Sequence, residues 1–302
     1  MSAVNIVVSS QRGWLLSDTS VYNASGTVLG FVPKVFPVAR WKGVIAVRGN
    51  LWGLDAAHAL AEQFSSVEEY LAESAPELKR QHEAADARGE LIGQSTIEIT
   101  VLAWSEAADR TAAYVLSSPS PLLDKPPYQW ESVLDDDGEG FSLAPSLSIA
   151  QDWHLHRRGV EPGEDWSPER FDPVAHGIPL LEEQRRSLTD PRVFPKQFYV
   201  VGGHILVSEV TRAGVSQSVI HEWQEDRVGE LIRPAAFEDE ANLPLVPPSW
   251  LSAKDRPEWL SLYRQGRIGP DLMPIKPVEI PANMNRQQRR LLEKKQRKAA
   301  AA

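Results

Sequence analysis

The sequence predicts an α+β fold, and three observations point there. The first forty-nine residues read as antiparallel β-hairpins, in which apolar and β-branched runs are broken by short polar turns. Leu54–Phe64 and Val67–Ala85 then carry the apolar spacing of consecutive amphipathic helices. Strand pairs return over Ser95–Leu116 and Phe198–Trp223. Strands and helices that come in runs, without strict alternation, suit stacked layers rather than a parallel sheet.

Ala3–Val8 is an apolar run, Ser9–Gly13 a turn, and Trp14–Asp18 the returning strand. Val28–Val38 and Gly43–Val47 form a second pair, joined around Arg40-Trp41-Lys42-Gly43. Lys34 lies inside the otherwise apolar Phe31–Phe36, where a charge is costly unless it is paired. Ser65-Ser66-Val67-Glu68-Glu69 has the pattern of a helix cap before the second helix. His58 and His82 read as packing or surface residues of the two helices. Ala107–Arg110 turns the strand Ser95–Trp104 back into Thr111–Leu116.

The middle of the chain is irregular from Ser117 to Pro173. Asp135–Gly140 resembles half of a calcium loop but lacks the spaced oxygen ligands and distal Glu, so it reads as a solvated turn. His154 and His156 share a strand face near Asp152, yet no third ligand accompanies them; polar surface beside Trp153 and Trp166 is the plainer reading. Pro173–Leu188 reads as a helix whose acids precede its bases. Phe198–Val207 is a strand in which Gly202-Gly203 suits a turn or bulge, and Thr211–Gly214 turns the last hairpin.

From about Arg233 the composition shifts to a Pro-rich stretch carrying Trp250 and Trp259, which cannot be one regular element. Asn283–Lys298 has high helix propensity and is basic around most of its circumference. Its segment Arg286–Lys298 carries +6, which leaves −15 on the rest of a chain whose total is −9. Such a tail suits an acidic partner or nucleic acid, or simply a solvated helix.

The chain has 302 residues, 42% hydrophobic and 24% charged, enough to bury a sizeable core. It contains no cysteine, which excludes disulfides, thiolate metal sites and a Cys nucleophile. No apolar run reaches the ~18 residues of a membrane span, and the first residues lack the pattern of a secretory signal. A cytoplasmic protein with no membrane partner is the expectation. No Walker loop, Rossmann fingerprint, zinc spacing or Gly-x-Ser-x-Gly elbow occurs.

Ser2 is a small second residue, of the kind that permits removal of Met1. Counting from it, Asp18 lies sixteen positions on, at the end of the second strand, and Lys34 thirty-two. With this spacing and strand order, the stretch resembles the start of a proteasome-type subunit of the N-terminal-nucleophile (Ntn) hydrolase superfamily. The resemblance covers about residues 1–230. It implies a four-layer αββα sandwich over residues 1–233, with an irregular insertion at about 117–173. A Pro/Trp-rich extension (234–283) and a basic helical tail (284–302) would follow.

The resemblance also implies an activity: cleavage of peptide or amide bonds by Ser2, tuned by Lys34, with Asp18 orienting Lys34. Val44–Gly49 resembles the strand and Gly turn that line the family's substrate cleft, so backbone N–H groups near Gly49 would hold the oxyanion. Ser146 falls where the family carries a supporting Gly-Ser-Gly motif, although its flanking glycines are missing. The Asp and Ser that support the nucleophile near the closing strands are also not recognisable here. No metal or other cofactor is implied, and a homo-oligomer or larger assembly is.

The chemistry stands apart from the family. A Ser hydroxyl is a weak nucleophile that needs a base. A free α-amine titrates near ~7.7–8.0 and can be that base on the same residue. A neighbouring Lys ammonium lowers the hydroxyl's pKa and favours the neutral amine, and an Asp holds the Lys. The rival reading is a non-catalytic structural or assembly protein, for example a component of a phage virion, and the Trp/Pro-rich extension and basic tail favour it.

Overall fold

The first hairpin forms as its apolar pattern predicts. In the computed structural model, β1 (Val4–Val8) runs antiparallel to β2 (Arg12–Asp18), with Val4 opposite Ser17 and Val8 opposite Gly13. The structure describes residues 2–91, 95–120, 126–133, 140–147, 151, 155, 160, 168–190, 192–194 and 196–235. All of them lie in the first of two units, Met1–Glu238 and Asp239–Ala302.

The stretch read as one strand over Val28–Val38 is two. β4 (Val28–Phe31) pairs with β3 (Ser20–Tyr22), whereas β5 (Val35–Val38) pairs with β6 (Gly43–Gly49). Pro33 has no amide proton to give a ladder, so the chain changes sheets there and sets Lys34 at the crossing. The remaining strands are β7 (Ile97–Ser105), β8 (Arg110–Ser117), β9 (Glu131–Ser132), β10 (Gly140–Ala144), β11 (His204–Thr211) and β12 (Gly214–Glu222). They complete two five-stranded antiparallel sheets. The order of the first is β10-β1-β2-β11-β12 and that of the second β5-β6-β7-β8-β9.

Two helices follow β6, as expected: α1 (Trp52–Ala61) and α2 (Val67–Ala87). The cap predicted for α2 is present. The Ser66 hydroxyl accepts from the Glu69 amide at 3.2 Å, and the Glu69 carboxylate reaches back to the Ser65 amide and hydroxyl. Ile45, Val47, Ile99 and Val101 of the second sheet pack on Leu54, Leu60, Tyr70 and Leu78 of these helices. Alternate residues of the same strands, with Val4, Ile6, Val8 and Leu15 of the first sheet, form a separate cluster between the sheets.

The four-layer αββα Ntn sandwich is not the architecture found. Among the described residues the fold is mostly antiparallel sheet, twelve strands in three sheets, with three α-helices. α1 and α2 pack on the second sheet. The outer face of the first is covered by the eight-residue α3 (Ile178–Arg185) and by irregular chain carrying Phe171, Phe198, Val200 and Val201. The helix predicted over Pro173–Leu188 opens with a wide π-turn at Pro173–Gly177 and stops at Arg185, too short to make a helical layer. The strand predicted from Phe198 begins only at His204, because Gly203 takes a left-handed φ of 79° that breaks the extended chain.

Several expectations lie outside the described residues: the state of Met1, the Asp135–Glu139 turn, and Asp152, His154 and His156 with their neighbouring tryptophans. So do most of the insertion, nearly all of the Pro/Trp-rich extension and the basic tail. No helix among the described residues is long and apolar enough to cross a membrane.

Candidate active site

Three sequence-predicted residues meet at one end of the space between the two sheets. β2 ends at Asp18, and the β1–β2 register carries it opposite Ala3, whose amide donates to Asp18 Oδ1 at 2.9 Å. Lys34 precedes β5, and its carbonyl accepts from the Val47 amide at 3.2 Å, so the second sheet fixes its backbone. Its side chain crosses to the first sheet. There Lys34 Nζ donates to Ser2 Oγ at 2.8 Å and to both oxygens of Asp18 at 3.0 Å. The three N–H donors of an ammonium thus have three acceptors.

Burial makes this arrangement strong. Ser2 is 6% exposed, Lys34 1% and Asp18 0%, so the pair has little solvent to screen it. Burial also pushes the Lys34 ammonium below the ordinary lysine value; Asp18 pulls it back up through its charge and hydrogen bonds, and Arg48 adds a downward push. The Tyr22 phenol nearby is pushed up, by burial first and then by the Asp18 charge.

Asp18 is held by more than Lys34. Its Oδ2 accepts from the Ser20 amide at 3.1 Å, from the Ser20 hydroxyl at 2.7 Å and from the Gly202 amide at 3.3 Å. The Gly202 segment is clamped in turn. Arg185 donates to the Val201 carbonyl and to both oxygens of Asp226, which accepts from the Gly203 amide at 2.7 Å. The Arg185 guanidinium also lies 4.6 Å over the Trp223 ring.

Sequence reasoning missed this clamp and the role of Arg48. Arg48 Nε donates to the Ser2 carbonyl at 2.8 Å and Nη1 to Glu98 at 2.7 Å, so it pins the backbone of the candidate nucleophile. The signal was the one that exposed Lys34: a charge closing an apolar strand, here on the same face as Ala46 between the sheets. Arg185–Asp226 gave no comparable signal, because its partners are forty-one positions apart on a helix and a loop.

Gly49 has a φ of 93°, and a Cβ there would collide with the Thr96 carbonyl. It lines a cavity of about 560 Å³, together with Arg48 and Ser146. Ser146 is exposed, two residues past the end of β10, and among the described residues no hydrogen bond joins it to Ser2. The sheet holds that region through Asn5 and Gln184, both fully buried, whose side-chain amides exchange two hydrogen bonds of 2.7 Å. Among the described residues no group of three His, Asp or Glu side chains is placed to hold a metal ion.

Compared with known proteins, the chain matches no family model and no curated protein.

Proposed function

We propose that the protein is a hydrolase of peptide or amide bonds whose nucleophile is Ser2, exposed as the first residue by removal of Met1. The reading is carried by one observation: a buried lysine donates to the Ser2 hydroxyl at 2.8 Å while a buried, six-coordinate carboxylate holds that lysine in place. The resemblance to proteasome-type Ntn hydrolases supports it through these site residues, not through the layer architecture.

In this mechanism Ser2 Oγ attacks the carbonyl carbon and its proton passes to the Ser2 α-amine. The C–N bond breaks as the leaving nitrogen takes that proton. Water then attacks the ester on Ser2, the amine accepts the water's proton, and the acid departs with Ser2 Oγ–H restored. Lys34 stabilises the charge that grows on Oγ, and Asp18 keeps Lys34 oriented. Backbone N–H groups near Gly49 are the proposed oxyanion donors, and Ser146 a supporting hydroxyl. Assembly into a homo-oligomer follows from the resemblance, and the absence of cysteine supports a cytoplasmic setting, or a virion for a phage-encoded chain.

The test is the intact mass of purified protein before and after an epoxyketone or β-lactone probe that requires a free N-terminal nucleophile. Loss of Met1 and one adduct, abolished in Ser2→Ala, is the expected result. A retained Met1, or a processed chain that never labels, overturns the reading in favour of a non-catalytic structural or assembly role.

A further inference from the structure

Among the described residues the two five-stranded sheets end in four edge strands, and three of them are short. β9 has two residues, β5 four with Pro37 among them, and β10 five. Natural sheets blunt their edges by such shortness, by proline or by charge. β12 has none of these devices along its length. It runs for nine residues, about 30 Å at the usual strand rise. Among the described residues it pairs with β11 alone. From Ala213 to His221 it carries no Lys, Arg, Asp, Glu or Pro. Ser216, Gln217, Ser218 and Val219 at its middle are all exposed, Val219 by 58%.

The side chains of β12 sort by face. Leu206 and Val210 belong to the apolar cluster between the sheets, and their register partners are Val219 and Val215. Val215, Gln217 and Val219 therefore share that face, and Gln217 donates to the Val35 carbonyl of the second sheet at 3.4 Å. Ser216 and Ser218 take the other face. The ladder with β11 is regular from Gly214 to Val219 and shifts beyond it, where Ile220 is the extra residue. Opposite charges flank this neutral stretch. Arg212 lies in the turn before it and Glu222 closes it. Their present partners, Asp109 at 3.4 Å and His204 at 3.6 Å, are surface contacts of little strength.

We propose that β12 is an interface for a second copy of this chain, whose own β12 lies antiparallel beside it and joins two five-stranded sheets into one. A two-fold axis perpendicular to the sheet keeps each face with its like, so opposite residues differ by an even number of positions. Among such registers, the one centred on Gln217 matches the charges. It sets Arg212 of each copy against Glu222 of the other, Val215 against Val219 on the inner face, and Ser216 against Ser218 on the outer. It also keeps Val215–Val219 within the regular part of the ladder. The exposed valine gains an apolar neighbour, and both ends close on an ion pair. The pairing does not depend on catalysis; it gives the homo-oligomer of the proposed reading a surface and a symmetry.

The experiment is sedimentation equilibrium of the full chain, which is expected to be dimeric at roughly 10 μM. Glu222→Arg sets like charges together at both ends and raises the dissociation constant at least tenfold, as does Arg212→Glu. The double exchange, Arg212→Glu with Glu222→Arg, restores it to within threefold, which a misfolding defect would not do. Because the chain has no cysteine, Gln217→Cys under mild oxidation gives a disulfide-linked dimer across the axis. Leu29→Cys, equally exposed but on β4, does not. A monomer overturns the interface, as does any assembly that neither charge reversal weakens and that Gln217→Cys fails to link. Labelling at Ser2 is scored separately: a monomer that labels overturns the interface and leaves the hydrolase, and a dimer that never labels does the reverse.

Discussion

The Gly202 amide donates to Oδ2 of Asp18 at 3.3 Å, a contact between residues 184 positions apart. It ties the first hairpin to the segment clamped by Arg185 and Asp226, so the carboxylate beneath Lys34 is positioned from both ends of the described chain.

Asp18→Asn keeps the shape and removes the charge. The Lys34 ammonium then lies buried without a counter-ion, and an amide N–H₂ faces donors that need an acceptor. Breaking a buried pair from one side costs about 3–5 kcal/mol, and urea unfolding should show that loss as a fall in midpoint at unchanged slope. A loss below about 1 kcal/mol would show that the pair contributes little.

Lys34→Met tests the same pair from the other side, and pH gives the sign. Burial holds the folded Lys34 below its ordinary value of 10.5. Between the folded value and 10.5 the unfolded chain binds more protons, so the contribution of Lys34 to stability rises with pH across that window. Below the window the burial penalty is fully present. Unfolding of the native protein minus that of Lys34→Met, measured from about pH 7 to about pH 10, should therefore climb with pH. In the proposed enzyme the alkaline loss of activity arrives below pH 10.5. Arg48→Gln removes a positive neighbour and moves that loss to higher pH.

Arg185→Leu strands Asp226, which is 7% exposed, with few remaining donors. We expect a loss of about 3–5 kcal/mol for the single variant and a smaller one for Arg185→Leu with Asp226→Leu, since an apolar pair leaves no buried charge. A double-mutant cycle measures the difference. Because the clamp fixes Gly202 beneath Asp18, the proposed enzyme should label more slowly at Ser2 in the single variant.

Gly49→Ala forces a Cβ into the Thr96 carbonyl at a φ of 93°. Strain of this kind exceeds about 1 kcal/mol. The thermal midpoint should fall by several degrees, by roughly 4 °C or more per kcal/mol in a small domain. Gly214→Ala has a positive φ but open space around it, so it is the milder control.

Much of the candidate site's geometry was legible because Ser2, Asp18 and Lys34 are near in sequence and conspicuous in type. Lys34 announced itself as a charge in an apolar run, and Asp18 closes a strand whose hairpin partner begins beside Ser2. The individual strands and helices of the first half followed from periodicity: β1, β2, α1, α2, β7 and β8 lie within a few residues of their expected ranges. The second half was less legible. Pro and Gly at 173, 177, 202 and 203 shortened a predicted helix and strand, putting a π-turn and irregular chain at their starts, and the expected helical layer on the first sheet went with them.

The sequence by itself determined the strand and helix periods of the first half and the chemical identity of the Ser2–Asp18–Lys34 set, since both depend on local order and residue type. Only the tertiary structure decided that Pro33 sends β4 and β5 to different sheets and that Lys34 spans the gap between them. It also decided that Arg48 pins Ser2 and that Arg185 and Asp226 brace Asp18 from far along the chain. Those contacts come from sheet pairing and the burial of charge between distant segments, and no local pattern records which distant partner a buried charge will meet.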